Sequence, residues 1–362
     1  MDGSLQRPAG RLAYLDLLRI FATFSVILLH FSVQNWFTGA VGSGPWYCFT
    51  VYNSAVRWGV PVFVMISGAL FLGREIPLRK LYTKYALRML TAFLAWSLLY
   101  FFLGGDGPRA RLLSLFRPGR TEQLASILRG PYHIWFVFLI AGLYLCVPLF
   151  RQLIQQEQTR RYYLLLSFLF ASLLPQLGAL IQSFGGERLR LLAQAAEEDL
   201  QYMHMDLVLG YGGYFVLGYT LSRAELTKKQ RGLLYALGLL GFGLTALLTM
   251  GASLRAGRAV SDHFDYFRPG VLAEAAALFV LFRHLPAPPP QVRALAARLS
   301  RWSFGAYLVH ALVIDWLGGL GLNTLSFAPW LSVPALSLLA FVLSYGISAL
   351  LSRIPGVRTY LV

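Results

Sequence analysis

Long apolar runs alternate with short, basic polar segments from one end of the chain to the other. An α-helix rises about 1.5 Å per residue, so roughly 20 apolar residues cross the hydrocarbon core of a bilayer. Ten runs stand out by length and apolarity: 15–37, 55–72, 82–103, 133–150, 162–182, 205–221, 233–250, 270–282, 302–320 and 329–351. The eighth is the weakest, being short and carrying Glu274. The pattern predicts an all-α polytopic integral membrane protein with about ten transmembrane helices, forming one membrane-embedded domain over residues 1–362 with no appended soluble domain. The first run is interrupted by Arg19 and has no small-x-small cleavage site, so it reads as an uncleaved first span rather than a signal peptide. Between spans, the stretch 185–201, with Glu197, Glu198 and Asp199, reads as a short surface helix. Pro286, Pro288, Pro289 and Pro290 make a stiff linker.

The basic residues give the runs an orientation. With the N-terminus in the cytoplasm, about 21 of the 32 Lys and Arg residues fall on the inner side, among them Arg7, Arg11, Arg74, Arg79, Lys80, Arg151, Arg223, Lys228, Arg283 and Arg301. Cytoplasmic loops are the ones enriched in Lys and Arg, so both termini are expected there. The loop 104–131 departs from the rule, with Arg109, Arg111, Arg117, Arg120 and Arg129 on the outer side. Long loops escape the charge rule, so a solvated loop and a basic lip for an anionic acceptor both remain open.

Composition agrees with the pattern and removes some functions. The chain is 57% hydrophobic and 13% charged, too apolar for a soluble domain to cover itself with polar groups. A net charge of +16 does not indicate nucleic acid here, because the charges are divided among segments between apolar runs. Cys48 and Cys146 fall in different runs towards opposite faces, which implies neither a disulfide nor a metal framework. There is no G-x-S-x-G elbow, no H-E-x-x-H pair and no phosphate-binding P-loop.

What remains is a set of isolated polar residues inside the spans. His30, Arg57, His133, His204 and Asp206 lie on the outer halves, His310 lies near the middle of the ninth span, and Arg19, Lys84 and Arg88 lie near the inner face. Arg19 and His30 are the most informative pair. Eleven helical steps return to about the same face, roughly 16 Å further along the axis. An ionisable residue at that depth is costly and should face a cavity or a partner. Individually, Arg19 reads as a snorkelling anchor and His30 as a packing histidine; together on one face they read as a site. Asp16 could pair with Arg19, Trp135 reads as an interfacial anchor, and His310 with Tyr307 could simply pin two helices.

Five blocks, in order, carry a resemblance. Arg19 and His30 form an R-x10-H pair. The others are Val56 through Gly68, Tyr132-His133-Ile134-Trp135-Phe136, Gly212 through Tyr219, and Ser303 through His310. This series resembles acyltransferase family 3, membrane enzymes that O-acylate surface sugars, and in particular the subgroup containing the enterobacterial common antigen O-acetyltransferase. One departure concerns the R-x-x-R that many members carry at the third span. The aligned positions here are Tyr85, Ala86, Leu87 and Arg88, so only the second Arg is present, with Lys84 one residue before the block.

The resemblance implies an acyl-CoA-dependent enzyme of the bacterial plasma membrane with acetyl-CoA as donor substrate, a carbohydrate acceptor, no bound cofactor and no metal. Arg19, Lys84 and Arg88 would bind the donor and His30 would be the general base, with an acyl-histidine relay as the other route. Arg57, His133 and His310 would support the site or face the acceptor. The physical argument runs the same way, since CoA is anionic and the inner mouth is basic, while imidazole titrates near neutral pH. The alternative is a transporter or permease for a lipid-linked or anionic substrate, which intramembrane His and Arg would also suit. Paired halves, common in transporters, are not evident.

Overall fold

Helix α1 (Ala13–Val33) packs against five other helices of the bundle. Its apolar residues Leu15, Leu18, Ala22, Val26 and Leu29 recur at helical spacing and are all buried. Its buried hydroxyls cost little, because Thr23, Ser25 and Ser32 each donate to a carbonyl of their own helix three or four residues back. The computed structural model describes residues 12–104, 107–116 and 120–362, and every regular element among them is helical. Arg7, Arg11 and Arg117 lie outside the described residues, as do the side chains of Arg120 and Asp206.

Two of the expected spans are broken helices, and proline explains both breaks. Helices α2 (Gly44–Val56) and α3 (Gly59–Phe71) meet at Arg57 and Trp58. Pro61 has no N–H to give the carbonyl of Arg57, so the ladder fails there. The second apolar segment is consequently longer than expected, 28 residues from Gly44 to Phe71. After α4 (Leu78–Leu103) and two short helices, α5 (Pro108–Ser114) and α6 (Arg120–Arg129), the fourth segment divides into α7 (Trp135–Leu145) and α8 (Val147–Gln155), bent by 55°. Pro148 removes the bond to Tyr144 in the same way.

The chain continues through α9 (Glu157–Phe184), the exposed α10 (Glu187–Gln201), α11 (Asp206–Arg223) and α12 (Lys228–Ala256). It ends with α13 (Pro269–Arg283), α14 (Pro290–Gly319), α15 (Pro329–Leu351) and the short α16 (Pro355–Tyr360). The surface helix read at 185–201 is present as α10. Among the described residues, six helical segments are long and apolar enough to cross a membrane, or seven with the bent pair counted as one. The expectation of about ten is therefore met only in part by length and composition. Helix α11 is broken at Gly210, α13 has only 15 residues, and α14 is diluted by His310, Asp315 and its basic first turns.

Close crossings fix the bundle. A Cβ at Gly68 of α3 would overlap the backbone carbonyl of Phe215, and one at Gly218 of α11 would overlap the backbone of Met65. These two glycines let α3 and α11 approach backbone to backbone, the small-residue packing expected where no hydrophobic drive separates helix from lipid. In the loop 104–131, Arg111 folds back to donate to Gly104 O at 3.2 Å and covers Phe101, while Arg109 and Arg129 are exposed. Both cysteines are free.

Candidate active site

Arg19 and His30 do face the same way, but they open into two separate spaces. Arg19 lines a cavity of about 500 Å³ at one end of the bundle. Four guanidinium groups border it, from Arg19 of α1, Arg74 after α3, Arg88 of α4 and Arg301 of α14, against one carboxylate, Asp16. Ser67, Ser300, Ser303 and Tyr144 add hydroxyls, and Phe63, Phe136 and Ile140 supply an apolar floor. Arg19 Nη1 approaches Ser300 Oγ at 3.5 Å. Arg88 Nη2 donates to the backbone oxygen of Val362 at 2.5 Å and lies 5.4 Å from the Phe304 ring.

Lys84, expected beside Arg88, is exposed and does not border the cavity; its Nζ lies 5.9 Å from its neighbour Tyr85. Lys84 lies inside the π-helical turn Leu81–Ala86 and is exposed, whereas Arg88 lies in the regular helix that follows and is half-buried. Arg74 and Arg301, which the sequence marked only as inner-face charges, occupy the mouth instead.

Further along α1, His30 borders a much smaller chamber of about 30 Å³ together with Val26, Leu29, Val60, His133 and Trp135. Phe63, Phe136 and Tyr307 line both spaces and form the wall between them. His30 and His133 border this chamber, and His310 packs against both of their rings. The His30 ring stacks on His310 with centroids 5.1 Å apart, and His133 meets His310 edge to face at 4.9 Å. Tyr132, 61% exposed, stands edge-on to His30 at 5.2 Å. Among the described residues, no group of three or more His, Cys, Asp or Glu is placed to hold a metal ion.

Each imidazole is held differently. His310 is fully buried, and its Nδ1 meets the backbone carbonyl of Tyr307, one turn earlier in α14. A carbonyl only accepts, so Nδ1 carries the proton and the Nε2 lone pair is free; that nitrogen has no partner among the described residues. His133 sits in the turn before α7, 2% exposed, with neither ring nitrogen bonded. Its backbone carbonyl accepts from the Tyr307 hydroxyl. Tyr307 thus ties His133 to His310, and the pinning role read for it from sequence is only part of its place.

Tyr100 secures the same region from α4. Its hydroxyl donates to Leu308 O at 2.9 Å and accepts from Leu312 N at 3.2 Å, two groups that would otherwise bond to each other in α14. Its ring stands 5.2 Å from that of His133. Nothing in the sequence singled out this tyrosine, because a hydroxyl near the end of a span normally reads as interfacial. Arg57, at the break between α2 and α3, has its Nε on Asn53 Oδ1 at 2.6 Å and its guanidinium 4.7 Å from the Phe264 ring. It lies behind Tyr266, which borders the chamber, and acts electrostatically on His30. Of the outer polar residues, His204 lies apart, in the turn after α10.

The arrangement sets a basic cavity on one side of a shared aromatic wall and His30 and His133, with His310 against them, on the other. The acyltransferase-domain model of the Acyl_transf_3 family matches residues 12–349, which takes in every residue bordering both spaces. No curated protein matches the chain, and no solved structure does. With the helices from α1 to α14, nearly all of α15 and the whole of the two-compartment site inside that one match, the chain belongs to acyltransferase family 3.

Proposed function

We propose that the protein is a bacterial plasma-membrane O-acyltransferase that moves an acetyl group from acetyl-CoA to a hydroxyl of a cell-surface or lipid-linked carbohydrate. The observation that carries this reading is the pairing of a basic 500 Å³ cavity with an imidazole-lined chamber across one thin wall. The basic end faces the cytoplasm, where CoA is found, and the positive-inside rule favours the same orientation. Arg19 and Arg88, joined by Arg74 and Arg301, hold the CoA phosphates. Guanidinium suits this task because it stays charged and presents a fork of donors. Lys84, on the exposed face, supports that end only through its charge.

The pantetheine arm runs along the apolar floor and brings the thioester to the wall at Phe63, Phe136 and Tyr307. The acceptor hydroxyl oxygen attacks the carbonyl carbon. Its proton passes to His30, the C–S bond breaks, and the sulfur leaves as thiolate and takes that proton from the imidazolium. The acyl ester and CoA thiol are the products, and no other reactant is needed. His133 lines the chamber, His310 packs behind His30 and His133, and with Arg57 they set the field in which His30 changes charge. Purified protein in nanodiscs, given acetyl-CoA, should slowly release CoA thiol. Mass spectrometry of surface glycans with and without the gene should show a difference of one acetyl unit. A permease would release no CoA, and unchanged glycans would remove carbohydrate as the acceptor.

A further inference from the structure

The chamber beside His30 is small enough to define what it holds. A cavity needs about 10–15 Å³ to accept one water, so its 30 Å³ takes two or three groups of that size. An acetyl group has three non-hydrogen atoms. Apart from the three residues it shares with the basic cavity, the chamber is bordered by His30, His133, Trp135 and Tyr266 and by an aliphatic wall of Val26 and Leu29 of α1 and Val60 of α3. All three aliphatic side chains are buried.

That aliphatic wall has little room to retreat. Gly59 immediately precedes Val60, and a Cβ there would overlap the Ser25 side chain and lie 3.3 Å from Val26 Cγ2. The two helices are already at their closest approach where Val26 and Val60 face the chamber. Close-packed interiors resist added methylenes, which force strained side chains or backbone shifts. A longer acyl chain could lie in the large cavity, but its carbonyl would then be held on the wrong side of Phe63, Phe136 and Tyr307 from His30.

We propose that this chamber is the acyl subsite and that Val26 and Val60 limit the transferred group to about two or three carbons. The inference rests on the acyl-CoA reading above. It concerns the donor half alone and can be tested without the acceptor, through slow hydrolysis. There water replaces the acceptor hydroxyl: its oxygen bonds to the acyl carbon, the C–S bond breaks, and one water proton reaches the sulfur by way of His30. The carboxylic acid and CoA thiol result.

The test compares acetyl-, propionyl-, butyryl- and octanoyl-CoA at equal concentration on protein in nanodiscs, following free thiol with a chromogenic reagent. Octanoyl-CoA should be hydrolysed at least roughly tenfold more slowly than acetyl-CoA, and Val60→Ala and Val26→Ala should each raise butyryl relative to acetyl turnover by about fivefold. Octanoyl turnover at the acetyl rate by the unsubstituted protein would overturn the proposal. So would Val variants that keep acetyl turnover with an unchanged chain-length profile. If neither variant inserts, the unsubstituted series still decides. Release of CoA from none of the four donors would instead sink the acyl-CoA reading beneath it.

Discussion

In the proposed reaction a sugar hydroxyl, a poor nucleophile at neutral pH, needs a base, and His30 is assigned that role. General-base assistance typically contributes on the order of 10²–10⁴-fold in rate. His30→Ala should therefore abolish measurable acyl transfer while donor binding and membrane insertion persist. His30→Gln should be equally inactive, since an amide hydrogen-bonds but does not take up a proton near neutral pH. Near-normal transfer by His30→Gln would move the base to His310 or His133, whose alanine variants should otherwise show smaller losses. At the other end, Arg19→Gln should weaken acetyl-CoA binding roughly tenfold to a hundredfold, the worth of a hydrogen bond to a charged group. Equilibrium binding in nanodiscs measures this, and unchanged affinity would remove Arg19 from the donor site. These two residues were legible in the sequence because helical periodicity alone sets their common face. The wall between them was not, since Phe63, Phe136 and Tyr307 come from three separate helices and each reads alone as ordinary packing.

Among the helices, local chemistry decided where the sequence reading held. Apolar runs located the six or seven segments that are long and apolar enough to span among the described residues, but run length could not show that Pro61 and Pro148 would divide two of them. Nor could it reveal the π-helical turn at Leu81–Ala86, within which Lys84 is exposed. The crossing of α3 and α11 is the most demanding contact of this kind. A methyl group at Gly218 would have to displace the Met65 backbone rather than a flexible side chain. Gly218→Ala should cost at least about 1–3 kcal/mol by overpacking. Thermal unfolding in detergent should show the drop, whereas Gly346→Ala, where nothing lies within 4 Å of the added Cβ, should leave the midpoint nearly unchanged.

For the molecule as a whole, the proposed orientation places the Arg19 cavity and both termini in the cytoplasm. A reporter fused after Val362 should be active only as a cytoplasmic reporter, and one inserted near Thr121 only as an exported one; an exported C-terminus would overturn the orientation. The same orientation gives the aromatic wall a bioenergetic meaning. Under the proposed function, a two-carbon unit passes through a membrane that stores a proton gradient, and a continuous water column beside the imidazoles would short-circuit that gradient. Phe63, Phe136 and Tyr307 stand between the two spaces. Replacing Phe63 and Phe136 together with alanine should make proteoliposomes dissipate an imposed pH gradient faster than the unsubstituted protein does, as followed by an entrapped pH dye. Equal decay rates would show that something other than this wall maintains the seal. By this account the wall that keeps donor and base apart at rest also lets the cell carry an open-mouthed enzyme in its energised membrane.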